Sequence, residues 1–76
     1  MNKARRESIS KAVSMLEEAV NILTDACDEE QEYLDNMPEN LQGSEKYETA
    51  ESAVDALNEA VEKVQDAISD AESATE

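Results

Sequence analysis

The apolar residues of this 76-residue chain recur in steps of three and four, and no other feature constrains its fold as tightly. Ile9, Val13, Leu16, Val20, Leu23, Cys27, Leu34 and Met37 keep that rhythm in the first half, broken at Glu30. Tyr47, Ala50, Val54, Leu57, Val61, Val64, Ile68 and Ala71 resume it in the second. Alternating threes and fours mark the a and d positions of a heptad, the seam between packed helices. The period of two that a half-buried strand needs never appears, so the chain is predicted to be all-α.

Alanine adds a second regularity. Ala12, Ala19 and Ala26 stand seven apart, as do Ala53, Ala60, Ala67 and Ala74, each just before an a or a-like position. A short side chain there lets helices approach toward the close end of the usual ~8–10 Å separation. It also widens the apolar stripe to about three positions in seven, as in a bundle helix. Alanine is also the best intrinsic helix former, which alone explains some of its abundance. Seven alanines in register point to packing.

Pro38 biases Met37 away from helical angles, and Gly43 is the chain's only glycine, so the helices break between them. Ser44 suits an N-cap, with Glu45 and Glu48 in the first turn where the helix dipole favours negative charge. The loop residues Pro38-Glu39-Asn40-Leu41 are expected to form a turn of their own. The sequence thus reads as one domain, residues 1–76: helix 1 at about 3–35, a loop at about 36–43 and helix 2 at about 44–73. A connection this short folds the helices into an antiparallel, coiled-coil-like hairpin. Tyr33 and Tyr47 flank the loop and are expected to pack together as a clamp. Fraying is expected after Ala71, because no basic residue supports the last turn.

Charge then enters. The chain carries 20 acidic and 6 basic residues and no histidine, for a net charge of −14. Low hydrophobicity with such a charge is the signature of disorder, but the periodicity argues against it. Lys3, Arg5, Arg6 and Lys11 crowd the start, where a hairpin would set them beside Asp66, Asp70, Glu72 and Glu76. Between Asp25 and Glu51, ten carboxylates face Lys46 alone. Helix 1 has more apolar surface than one neighbour covers, since Met15 and Ile22 join Ala12, Ala19 and Ala26 in an extra stripe. The expectation is a homodimer forming a four-helix bundle, with Ala12, Met15, Leu16, Ala19, Ile22, Leu23 and Ala26 at its interface. Antiparallel packing would set each basic start near its partner's acidic tip.

These counts also exclude chemistry. Without histidine, the commonest general base and Ser-His or Cys-His nucleophile pairs are missing, so no catalytic residue is assigned and an enzyme is not expected. Cys27 stands alone and, in an acidic neighbourhood, reads as a small buried hydrophobe; Glu30 is expected to extend to solvent or meet Lys46. The run Asp25-x-x-Asp28-Glu29-Glu30-x-Glu32 lacks calcium-loop spacing, and no metal or other cofactor is expected. Direct nucleic-acid binding is excluded by repulsion from phosphates, and no stretch approaches the ~20 apolar residues of a membrane span. The start lacks the apolar core of a signal peptide, which with an unpaired cysteine points to a cytoplasmic setting.

The start Met1-Asn2-Lys3-Ala4-Arg5-Arg6 and the segment Met37-Pro38-Glu39-Asn40-Leu41-Gln42-Gly43-Ser44-Glu45-Lys46-Tyr47-Glu48 resemble a group of short acidic helical-hairpin proteins of bacteriophages and prophages. The resemblance covers nearly the whole chain, and its loop is the specific part. It implies a phage source, the cytoplasm of a bacterial host and this fold, but no site. Small acidic phage proteins often antagonise host defence, including restriction and CRISPR nucleases.

The functional expectation is therefore a non-enzymatic protein that acts by binding other proteins. Its acidic face (Asp28, Glu29, Glu32, Asp35, Glu39, Glu45, Glu48 and Glu51) would imitate nucleic acid in the basic groove of a host nuclease, as an anti-CRISPR or anti-restriction inhibitor. The alternative is a structural or adaptor oligomerisation module with no inhibitory role. The loop from Met37 to Gly43 is a third possible contact surface.

Overall fold

In the computed structural model, which describes Met1 to Glu76, the chain is a two-helix hairpin with no strand. Helix α1 spans Lys3–Asp35, a single 3-10 turn occupies Glu39–Leu41, and α2 spans Glu45–Ala74. The molecule is a rod, 60 × 14 × 13 Å along its principal axes. Its length follows from α1 itself, since 33 residues at 1.5 Å each give about 50 Å.

Both starts are capped by side chains. Asn2 Oδ1 accepts from the Arg5 N–H at 2.8 Å. Ser44 Oγ accepts from the Tyr47 N–H at 3.3 Å while its hydroxyl donates to the Leu41 carbonyl. Each cap satisfies an N–H that the helix leaves without a partner. The Leu41 contact ties the 3-10 turn to the start of α2, so the loop is braced from within. Gly43 does not have a positive φ, and a Cβ built there meets nothing within 4 Å. The break therefore comes from Pro38 and the Ser44 cap, and glycine is not required for it. The α2 helix continues past Ala71 to Ala74, where Thr75 closes it through its N–H and hydroxyl on Glu72 and Ser73 carbonyls.

The heptad seam is the line along which the helices meet. Every a and d residue from Ile9 to Met37 and from Tyr47 to Ala71 is buried or half-buried, Glu30 included. The tightest packing lies at the loop end, where Cys27, Leu34, Ala50 and Val54 form one buried cluster with Tyr47 and Leu57 against it. Cys27 Sγ points across the interface, 3.4 Å from Asn58 Oδ1 and 3.8 Å from the Val54 carbonyl. It is a packed thiol with weak polar contacts, as the sequence suggests.

Two expected contacts are corrected. Tyr47 occupies an a position and packs on the cluster, but Tyr33 lies one position outside the seam and is 49% exposed, so the two do not clamp the hairpin together. The basic start makes no ion pair with α2. The only salt bridge is Glu59–Lys63 at 3.3 Å within α2, and both side chains are exposed. Fixing a long exposed side chain costs rotamer entropy that an exposed pair, contributing about 0–1 kcal/mol, does not reliably offset. Glu30 and Lys46 share a depression without forming a salt bridge.

Candidate partner-binding surfaces

An antiparallel hairpin with these heptads has two unlike sides. Residues just before each a position from both helices fall on one side, and those just after each d position fall on the other. The grooves follow this division. One shallow depression is lined by Ala26, Glu29, Glu30, Tyr33 and Leu57, and the next by Glu30, Tyr33, Lys46, Ala50 and Ala53 among others. On the other side, Glu17, Asn21 and Gln65 flank Val20 and Ile68. The rod thus carries an alanine side and a polar side.

Within the hairpin the alanine columns flank the seam without being covered. Ala19, Ala53 and Ala60 are half-buried, while Ala12, Ala26, Ala67 and Ala74 are exposed. Beside them on α1 stand Met15 and Ile22, 62% and 63% exposed. Tyr33 is seven residues past Ala26 and so continues the α1 alanine column. That spacing was visible in the sequence, but reading Tyr33 as a partner for Tyr47 concealed it. The other residues of the expected interface, Leu16 and Leu23, are seam residues facing α2 and are half-buried already.

Only five of the 76 residues are buried, so this rod hides little of its surface. Its accessible area is 5700 Å². A compact monomer of 8.4 kDa would expose about 4600 Å². The excess of about 1100 Å² exceeds the ~800 Å² that each partner contributes to a standard interface.

At the loop end the alanine side opens into a groove of about 640 Å³. Tyr33, Met37, Pro38 and Leu41 supply its apolar surface, and Glu29, Glu32 and Lys46 stand at its edges. Glu45 lines the adjoining depression. The eight carboxylates singled out from the sequence are all exposed but do not form one face. Glu29, Glu32 and Glu45 line the concavities beside Tyr33. By heptad position Asp28, Asp35, Glu48 and Glu51 lie toward the polar side, and Glu39 begins the 3-10 turn. The charges remain unneutralised, because one salt bridge engages one carboxylate of twenty.

No group of three or more cysteine or acidic side chains is placed to hold a metal ion, and no helix is long and apolar enough to cross a membrane. Comparison of the chain with protein-family models, curated proteins and solved structures finds no match.

Proposed function

We propose that this chain is a phage-type acidic protein that works without catalysis. Two copies assemble through the alanine side into a four-helix rod, and the carboxylates of that rod occupy the basic groove of a nucleic-acid-binding protein. A host defence nuclease of the restriction or CRISPR kind is the partner class that best suits such a protein in the cytoplasm of a bacterial host.

The observation that carries this reading is charge density on a rigid rod. A net charge of −14 along 60 Å averages about one per 4 Å, of the order of the 3.4 Å phosphate spacing of a single DNA strand. Two hairpins side by side would carry a net charge of about one per 2 Å, near the ~1.7 Å of a duplex. Helices hold the backbone under those charges rigid, so docking costs side-chain rotamer entropy but no backbone ordering. Steering by the summed field would speed association and make it salt-dependent.

The test is a salt titration of binding to a captured nuclease. Affinity should fall steeply between 50 and 200 mM salt, as it does for proteins that release ions from DNA. Replacing Asp28, Asp35, Glu48 and Glu51 by their amides should flatten that slope. Affinity independent of salt would defeat the mimicry reading and leave the adaptor role, in which the exposed apolar side alone carries function.

A further inference from the structure

We infer that the second copy docks antiparallel to the first along α1, centred on Ile22, so that its basic N-terminal segment closes the groove at the hairpin tip. This rests on the dimer reading above and deepens it by fixing the register and naming what fills the groove.

Two sets of residues select the same register. The apolar stripe runs Ala12, Met15, Ala19, Ile22, Ala26, Glu29, Tyr33, and Ile22 lies at its middle. Turning a copy about a two-fold axis at Ile22 sets Ile22 on the partner's Ile22 and Ala19 on the partner's Ala26. Ala12 then meets the partner's Tyr33, so the smallest side chain of the stripe faces the largest. Met15 falls on the partner's Glu29, whose methylenes can cover it while the carboxylate reaches water. In each pair the residue numbers add to about 44, as one antiparallel register requires.

The charges favour the antiparallel direction, and Lys11 agrees with the register that the apolar stripe sets. Lys11 falls opposite the partner's Glu32, with a sum again of about 44, and Lys3, Arg5 and Arg6 extend alongside the partner's tip beyond the end of its α1. Lys3, Arg5, Arg6 and Lys11 are four of the chain's six cations, and all are exposed without a salt bridge inside the hairpin. The groove they would approach is edged by Glu29 and Glu32 and lined by Tyr33 and Leu41, both exposed in the single hairpin. A parallel arrangement would instead stack the two acidic tips, where like charges repel. The surplus area of about 1100 Å² is also enough to supply the ~800 Å² that one side of a standard interface buries.

The antiparallel register assigns six of the eight candidate carboxylates a role. Glu32 meets the partner's N-terminal segment, Glu29 covers the partner's Met15, and Asp28, Asp35, Glu48 and Glu51 remain outward for the nucleic-acid-binding target.

Disulfide trapping in a Cys27→Val background tests the register, with sedimentation equilibrium on the reduced proteins. Ile22→Cys should form a covalent dimer under mild oxidation, as should the double variant Ala12→Cys/Tyr33→Cys. Met15→Cys alone should not, because its copies would lie about 20 Å apart, far beyond the ~7 Å limit for bridging. Efficient trapping of Met15→Cys by itself would establish a parallel dimer and overturn the register while sparing the dimer. A monomer at all concentrations in the reduced samples would overturn both.

Discussion

Truncating Ile22 to alanine separates the contact between copies from the fold of each copy. In the single hairpin Ile22 is 63% exposed, so its truncation leaves no hole in the seam. Alanine is also the better helix former, by a few tenths of a kcal/mol, so α1 should hold or gain helicity. In the proposed dimer, two Ile22 side chains meet at the axis. Full burial of such a side chain contributes about 1.5–3 kcal/mol. Scaling by the exposed fraction and by the carbons removed leaves about 0.7–1.4 kcal/mol per copy, or about 1.4–2.8 kcal/mol for the pair. At 1.4 kcal/mol per factor of ten, the dimer dissociation constant should rise about 10–100-fold. Sedimentation equilibrium measures that constant, and circular dichroism on the same samples monitors helicity. An unchanged constant would refute the interface. Helicity lost at concentrations where wild-type monomers stay folded would show that Ile22 supports the hairpin itself. Leu16→Asp provides the contrast, because a charge at a half-buried seam position should unfold the hairpin along with the dimer.

Three further outcomes follow from the tip. Leu34→Ala removes the largest side chain of the buried cluster, only 5% exposed, and should destabilise the hairpin by about 2–3 kcal/mol, the low end for core truncations because so open a core can collapse; thermal melts report it. Gly43→Ala should stabilise by about 0.4–1 kcal/mol, since the backbone there suits any L-residue and the added methyl meets nothing; a lower melting temperature would contradict this. Ser44→Ala should cost about 0.5–2 kcal/mol in denaturant titrations, because it removes both the acceptor for the Tyr47 N–H and the brace to Leu41.

The seam was legible because it is written twice, in a and d residues that each helix must hide against the other. Ser44 as a cap and Glu39–Leu41 as a separate turn were legible for a similar reason, since local chemistry decides them. Contacts between exposed side chains were not. Lys3, Arg5, Arg6 and Lys11 have the right sign and neighbourhood to pair with α2, yet exposed chains have too little to gain from a fixed geometry. Gly43 marks the break by its residue type, but only the dihedral angle reveals that its backbone suits any L-residue. Tyr33 was read by its residue type when its spacing from Ala26 was the better guide. For the eight carboxylates, composition revealed their density, while heptad position alone assigns them to opposite sides of the rod. The groove at the tip needs the loop folded back over α1, so no spacing rule anticipates it.

Competition with DNA tests the central claim most directly. The purified protein, immobilised, would be exposed to a bacterial lysate and washed at low salt, then challenged with a short duplex oligonucleotide or with uncharged polymer. If the rod occupies nucleic-acid grooves, the duplex should release what has bound while the neutral polymer releases nothing, and the released proteins should themselves bind DNA. Retention of every captured protein in the presence of excess duplex would contradict the account.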